Sequence, residues 1–180
     1  MRIVAGAWRG RTLKAPPGRS TRPTSDRARQ ALFDMLMHAP WGGRATIENA
    51  VVLDLFAGTG ALGLEALSRG AARAIFVEQD RAALDALRSN ITACRAEPCC
   101  SVVASDVLRL RSIEQAALVF LDPPYGQDFV PRSIERLRMI GGLLPLALIV
   151  AEIGADESWN HAEPLADRVH GAARLIVWRA

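Results

Sequence analysis

Several residue types and patterns are scarce in this 180-residue chain, and each scarcity excludes a class of protein. The three cysteines, Cys94, Cys99 and Cys100, are odd in number and two are adjacent, which excludes a regular disulfide framework and the paired spacing of a zinc site. No apolar stretch approaches the ~20 residues needed to cross a bilayer, and the first residues lack the apolar core of a secretion signal. We therefore expect a cytoplasmic protein with reduced, structurally incidental thiols and no membrane association.

Acidic residues are nearly absent from the first 30 positions, where arginine is abundant. This segment holds seven arginines and Lys14 against the single acid Asp26, a charge of +7, whereas the whole chain carries only +3. Half of all residues are hydrophobic, so the chain as a whole has the apolar content of one globular domain. An asymmetric basic segment of this kind is typical of proteins that bind the phosphates of a nucleic acid.

The basic segment predicts a small structure of its own. Residues 2–5 and 11–15 are short extended candidates around Trp8, which indicates a ribbon, and a helical pattern begins at Asp26. The arginines of this helix should stay near solvent. Its apolar stripe should dock on the main domain through Ala28, Ala31, Leu32, Met35 and Leu36.

From residue 48 onwards, apolar strands alternate with helical patterns, which predicts a doubly wound α/β fold. We divide the chain into a basic extension, residues 1–45, and a sheet domain, residues 46–180. The sheet should be seven-stranded and mostly parallel, and its ligand should bind beyond the carboxyl ends of the strands. Parallel strands are predicted at 50–56, 74–78, 102–104, 117–121 and 146–152, and an antiparallel hairpin at 165–169 and 175–178.

A glycine-rich turn follows the first predicted strand. Asp54 lies near the end of that strand, and Gly58, Gly60 and Gly63 follow at spacings that allow a backbone to approach a ligand closely at a helix start. Glu78 ends the second strand, where a carboxylate can accept hydrogen bonds from ribose hydroxyls. The pattern also fits nicotinamide-binding folds, so it predicts a nucleoside ligand without identifying it.

The turn Asp122-Pro123-Pro124-Tyr125 comes directly after an apolar strand. The prolines fix the backbone and offer carbonyl acceptors but no N–H donors. The Asp122 carboxylate and the Pro123 carbonyl could hold the two N–H groups of an amine on a planar ring, and Tyr125 could stack on that ring. This arrangement predicts chemistry on an exocyclic amino group, with Asp122, Pro123 and Tyr125 as the catalytic residues.

Taken together, these motifs resemble a known family. Asp54-x-Phe-x-Gly58-x-Gly60, Glu78, Asp106 and the Asp-Pro-Pro-Tyr turn resemble the motifs of class I S-adenosylmethionine-dependent methyltransferases that act on exocyclic amino groups. Arg2-Ile-Val-Ala-Gly6-x-Trp8-Arg-Gly10-Arg11 and the segment from Arg22 to Phe33 are similar to the amino-terminal signature of the RsmD family. That family methylates N2 of a guanine in bacterial small-subunit ribosomal RNA.

The resemblance implies roles for particular residues. Asp54 and the loop Ala57, Gly58, Thr59 and Gly60 would hold the methionine end of S-adenosylmethionine, Glu78 its ribose, and Asp106 with Val107 its adenine, and no metal is required. The implied partner is ribosomal RNA within a small-subunit assembly particle, bound by a monomer. Its RNA contacts are expected from Arg2, Trp8, Arg9, Arg11, Arg22, Arg27 and Arg29, although Trp8 could instead pack the basic segment onto the domain.

Other functions account for part of the pattern. DNA adenine and protein glutamine methyltransferases use a similar turn, but Asn is commoner than Asp before its prolines and they do not explain the basic segment. A nicotinamide-dependent oxidoreductase would explain the glycines and Glu78 and leave the Asp122 turn without a role. A non-catalytic RNA-binding protein would explain the basic segment alone.

Overall fold

A computed structural model of the chain describes residues 1–16 and 26–180, and the predicted RNA contact Arg22 lies outside them. The described helices are α1 (Asp26–His38), α2 (Ala61–Ser68), α3 (Arg81–Cys94) and α4 (Phe129–Met139). The described strands are β1 (Val51–Leu55), β2 (Arg73–Glu78), β3 (Cys100–Ala104), β4 (Ala116–Leu121), β5 (Leu143–Gly154), β6 (Ala166–His170) and β7 (Ala173–Arg179).

The strands form one seven-stranded sheet in the order β3-β2-β1-β4-β5-β7-β6. Strands β1 to β5 pair in parallel, and β7 runs antiparallel between β5 and β6. The predicted doubly wound sheet with a terminal hairpin is thus confirmed. The strand order reverses between β1 and β4, and the carboxyl ends of these two strands mark the place where such sheets bind ligands.

Both faces of the sheet are covered, which explains why its parallel strands read as continuous apolar runs. On one face, side chains such as Leu55 and Val119 pack against Ile134 of α4. On the other face, α1, α2 and α3 cover the sheet. Within the ranges that the structure describes, no helix combines the length and the apolar character needed to cross a membrane.

The buried face of helix α1 matches the predicted stripe in part: Leu32 and Leu36 are buried as predicted. Ala28 and Ala31 are exposed, and the buried stripe is rotated by about one residue. The reason is electrostatic: the Arg29 guanidinium is fully buried and lies 3.6 Å from the buried carboxylate of Glu65 on α2, so the charged residue faces inward. The buried residues of α1 are Arg29, Leu32, Phe33 and Leu36.

The amino-terminal segment forms less strand than predicted. Its ribbon is a single antiparallel bridge between Arg2 and Thr12, because residues 4–10 turn onto α2 instead of extending. Gly6 makes this approach possible: it has a φ of +80°, and a Cβ there would lie 1.8 Å from the backbone oxygen of Ser68. The segment is therefore fastened to the sheet domain by backbone contacts.

Candidate active site

The register of the parallel strands places four residues in one row at the carboxyl edge of the sheet. Leu55 of β1 pairs with Val77 of β2 and Leu121 of β4, and Leu121 pairs with Ala151 of β5. The residue that follows each of these four therefore lies in the same row, just past the buried core at the carboxyl edge of the sheet. These residues are Glu78, Phe56, Asp122 and Glu152, and all of them line one cavity of about 730 Å³, a volume typical of small-molecule sites.

The glycine-rich turn forms one wall of this cavity. Ala57, Gly58 and Thr59 line it, and Gly58 adopts a φ of +54° that favours glycine. Gly60 begins α2 in a left-handed conformation and does not line the cavity; a Cβ there would lie 2.4 Å from a methyl carbon of Leu87. The structure thus places Ala57, Gly58 and Thr59 at the cavity, whereas Gly60 allows the start of α2 to pack closely against Leu87.

Glu78 shapes the turn as well as the cavity. Its Oε2 accepts a hydrogen bond from the backbone N–H of Gly58 at 2.8 Å, and its Oε1 accepts from the N–H groups of Gln79 and Asp80, also at 2.8 Å. An ionised carboxylate offers about four acceptor positions, so these three donors leave limited capacity for a ligand. Its predicted contact with a ribose stays a prediction, and its hold on the loop is an additional role.

Asp54 lies beneath the cavity with almost no exposure to solvent. The pKa of its carboxyl is raised to about 8, chiefly by burial and also by the nearby charges of Asp122 and Glu78, against a hydrogen bond donated by the Gly63 N–H at 2.8 Å. A Cβ at Gly63 would lie 2.4 Å from the ring of Phe76. The third glycine of the pattern is therefore explained by close packing of helix on strand.

The Asp-Pro-Pro-Tyr turn closes the cavity on the β4 side. Burial raises the pKa of Asp122 to about 7, and the negative charge of Glu152 contributes to the shift. Pro123 is buried, whereas Tyr125 is 42% exposed. The Tyr125 hydroxyl donates a hydrogen bond to Glu152 Oε1 at 2.5 Å. The turn thus combines carboxylate and carbonyl acceptors with an aromatic face.

Phe56 occupies the row between Glu78 and Asp122 in a strained conformation. Its φ is +59°, a region that a bulky residue adopts at a cost of about 1–3 kcal/mol and that is concentrated at functional sites. Its ring packs on that of Phe129 at a centroid distance of 5.4 Å. Phe56 therefore forms an apolar divider between the two acidic halves of the cavity.

The predicted adenine contacts lie at the far end of the cavity. Val107 lines it, together with Ser105. Asp106 uses its carboxylate to cap the 3₁₀ turn Val107–Arg109, accepting a hydrogen bond from the Leu108 N–H at 2.9 Å. Its side chain does not line the cavity, so its contact with adenine stays a prediction.

The predicted RNA contacts divide into exposed and internal residues. Arg2, Arg9 and Arg27 are exposed, and the partly buried Arg11 donates to the backbone carbonyl of Ala93. Trp8 is partly buried against the apolar cluster beneath α2 and α3, so packing is at least one of its roles. The prediction for Arg29 was wrong: this residue is fully buried and pairs with Asp26 at 2.9 Å and with Glu65, which prevents contact with RNA.

Sequence reasoning missed three polar residues that the structure makes important. Glu152 directly follows an apolar run within a strand, as Glu78 and Asp122 follow theirs, and that shared signal could have found it. Glu65 accepts the backbone N–H groups of Val4 and Ala5 at 2.8 and 3.0 Å. The third, Asn90, donates to the carbonyls of Lys14 and Thr59, and so ties the basic segment to the glycine-rich turn. No local pattern predicts the last two.

The sheet has the strand order of class I methyltransferases. As in that class, a cavity lined by acids lies where the strand order reverses, and the Asp-Pro-Pro-Tyr turn lies beside it. A family model described as "Conserved hypothetical protein 95" matches residues 1–178, and the chain belongs to that family.

Comparisons with individual proteins agree with this assignment. The chain is 38% identical over 179 residues to "Ribosomal RNA small subunit methyltransferase D" of Escherichia coli, covering 94% of this chain and 86% of that protein. The solved structure of E. coli yhhF is 36% identical with a TM-score of 0.84, covering 99% and 97% of the two chains. An RNA methyltransferase from Salinibacter ruber in complex with S-adenosyl-L-homocysteine, 18% identical, shares the fold with a TM-score of 0.64, covering 87% and 92%.

Proposed function

We propose that this protein transfers a methyl group from S-adenosylmethionine to the exocyclic N2 amino group of a guanine in small-subunit ribosomal RNA. The observation that carries the proposal is the row of Glu78, Phe56, Asp122 and Glu152 beside the acceptor-rich turn in one cavity. The printed names of relatives at 35–38% identity, which are ribosomal RNA small subunit methyltransferases D, support it.

The residues present suit a cationic nucleoside cofactor. The cavity is lined by Asp54, Glu78, Asp122 and Glu152, and the pKa values of Asp54 and Asp122 are raised, first by burial and then by the charges of neighbouring carboxyls. A sulfonium ion would stabilise the ionised carboxyls. When bound, S-adenosylmethionine supplies an electrophilic methyl group. The loop from Ala57 to Gly60 would hold its methionine end, with Glu78 at the ribose and Asp106 and Val107 at the adenine.

The turn would prepare the target amine. The amine lone pair is delocalised into the ring and becomes nucleophilic only as the nitrogen turns pyramidal. Asp122 and the Pro123 carbonyl would accept its two N–H groups and stabilise the positive charge that develops, while Tyr125 stacks on the base. Because the pKa of Asp122 lies at about 7, this carboxylate can also take up the released proton near neutral pH.

The basic segment would bring the RNA to the cavity. Met1 and Pro16 of this segment line the cavity, so RNA held by Arg2, Arg9 or Arg27 would pass close to the turn. We assign residues 1–45 to RNA binding and 46–180 to catalysis, although the two parts share packed surfaces. We further propose a cytoplasmic monomer that acts on a small-subunit assembly particle.

The test is transfer of a labelled methyl group to naked ribosomal RNA, to assembly intermediates and to finished small subunits, followed by mapping of the labelled nucleotide. Label on a guanine N2 is expected. Label on adenine or protein, or binding of NAD without S-adenosylmethionine in calorimetry, would replace this function with one of the alternatives.

A single substitution tests the mechanism. Asp122→Ala removes an acceptor that strengthens in the transition state, so the single-turnover rate should fall about 100-fold or more, with cofactor affinity within a few fold. The exposed Asp156→Ala is the matched control and should keep the wild-type rate. A wild-type rate in Asp122→Ala would contradict the mechanism.

A further inference from the structure

Glu152 has a position that the resemblance does not explain. It follows Ala151 on β5, level with Asp122 on the neighbouring β4, and both side chains line the same cavity. The charge of Glu152 also raises the pKa of Asp122, so the two carboxyls are close in space. Any base held by the Asp122 turn would therefore present an adjacent atom to Glu152.

Among the residues that the structure describes, one oxygen of the Glu152 carboxylate accepts a hydrogen bond. Oε1 accepts the hydrogen bond from the Tyr125 hydroxyl at 2.5 Å. Within residues 1–16 and 26–180, no hydrogen-bond donor reaches Oε2. The carboxylate therefore has an acceptor available toward a ligand, beside the ring on which a base would stack.

The edge of guanine supplies a donor at the corresponding place. Guanine carries N1–H directly beside its N2 amino group, so the two positions donate side by side. Adenine N1 and cytosine N3, which neighbour the amino groups of those bases, are acceptors and would be repelled by a carboxylate. If Asp122 and Pro123 take the amino hydrogens, N1–H needs one further acceptor.

We propose that Glu152 is the specificity-determining residue that accepts the N1–H of the target guanine through Oε2. This inference rests on the proposed function. This role explains why Glu152, the third acid of the row, lies away from the glycine-rich turn. It also explains how the enzyme would select guanine, whose amino group neighbours a ring N–H, over adenine and cytosine, whose amino groups neighbour a ring nitrogen lone pair.

The test replaces the target guanine by 2-aminopurine in a synthetic ribosomal RNA fragment, assembled into the particle that proves to be the substrate. 2-Aminopurine keeps the 2-amino group, but its N1 is an acceptor. Wild-type enzyme should methylate guanine at least about 10- to 100-fold faster than 2-aminopurine, the range expected for a hydrogen bond to a charged acceptor. Comparable wild-type rates on the two bases would overturn the inference without any variant.

The Glu152→Gln variant provides the second arm. A glutamine amide can rotate to donate to N1, so the guanine preference in kcat/KM should fall at least about 10-fold. The assay is run at pH 8.5, so that Asp122 is ionised in both enzymes. The exposed Glu163→Gln, a matched control, should keep the wild-type preference. An unchanged preference in a folded Glu152→Gln that still binds S-adenosylmethionine would refute the assignment.

A third variant separates reading of the base from positioning of the tyrosine. Tyr125→Phe removes the hydroxyl held by Glu152 and keeps the carboxylate and the aromatic face. The guanine preference should survive in Tyr125→Phe if Glu152 contacts the base. Loss of the preference equal to that in Glu152→Gln would show that Glu152 acts through Tyr125 alone. Absence of methylation of any guanine by the wild-type enzyme would instead refute the proposed function.

Discussion

The crowded carboxyls at the cavity should make the ligand-free protein less stable as the pH rises. Burial and the charge of Glu152 raise the pKa of Asp122 from 3.8 to about 7. The folded state therefore binds a proton more tightly than the unfolded state between these pH values, so stability is highest below about pH 4 for this group and falls as the pH rises toward 7. One pKa unit corresponds to about 1.4 kcal/mol, so the full loss is on the order of 4 kcal/mol.

Asp122→Asn should remove this loss, because the amide does not titrate. Between pH 5 and pH 8, the free energy of unfolding of the wild-type protein should therefore fall by roughly 1–3 kcal/mol more than that of the variant. Urea denaturation at both pH values, followed by the fluorescence of the buried Trp178, gives the measurement. The difference between variant and wild type cancels the titration of groups distant from Asp122, and the accompanying change at Asp54, whose pKa the charge of Asp122 raises, has the same sign.

The exposed Asp156→Asn serves as control and should leave the pH dependence unchanged. An Asp122→Asn protein with the same pH dependence as the wild type would show that Asp122 ionises normally in the fold. The electrostatic argument for a cation at this site would then lose its main support.

Three further outcomes follow from the same structure. The ratio of S-adenosylmethionine to S-adenosylhomocysteine affinity in calorimetry should rise from pH 6 to pH 8.5, because only the former carries the sulfonium charge that ionised carboxyls attract; a constant ratio would contradict the charge argument. Glu65→Ala removes the buried carboxylate that pairs with both Arg29 and Arg69, and it should lower the free energy of unfolding by about 3–5 kcal/mol in urea denaturation, with a loss below about 1 kcal/mol refuting this. Arg9→Ala combined with Arg27→Ala should reduce the salt dependence of RNA affinity by about one log–log unit per lost phosphate contact, whereas the α4 control Arg138→Ala should keep the wild-type slope if RNA binds the basic segment.

The framework of the site was predictable from sequence because it depends on strand ends. A buried parallel strand reads as an apolar run, and the first polar residue after it marks the edge where ligands bind, as with Glu78 and Asp122. Glu152 obeys the same rule and was overlooked because no familiar motif surrounds it. Its importance depends on the pairing of Leu121 with Ala151, which places Asp122 beside it.

The attachment of the basic segment could not be predicted, because it depends on contacts between distant parts of the chain. Glu65 bonds to backbone some 60 positions earlier, and Asn90 to Lys14, 76 positions earlier. A helical pattern cannot show that Arg29 points inward when the acid that compensates it lies on another helix. The predicted apolar stripe of α1 was displaced for this reason.

The acidic residues that stabilise the fold differ from those that line the cavity in whether a basic side chain pairs with them. Glu65 is fully buried, yet it lies 2.8 Å from the Arg69 guanidinium and 3.6 Å from that of Arg29. The structure gives Asp54 and Asp122 no arginine or lysine partner among the described residues, and the pKa of each is raised instead. Carboxyls held together in this way favour a positively charged ligand, because a cation would stabilise their ionised form. A cationic cofactor in that cavity supplies that positive charge, and the instability of the empty site becomes binding energy for a sulfonium ion.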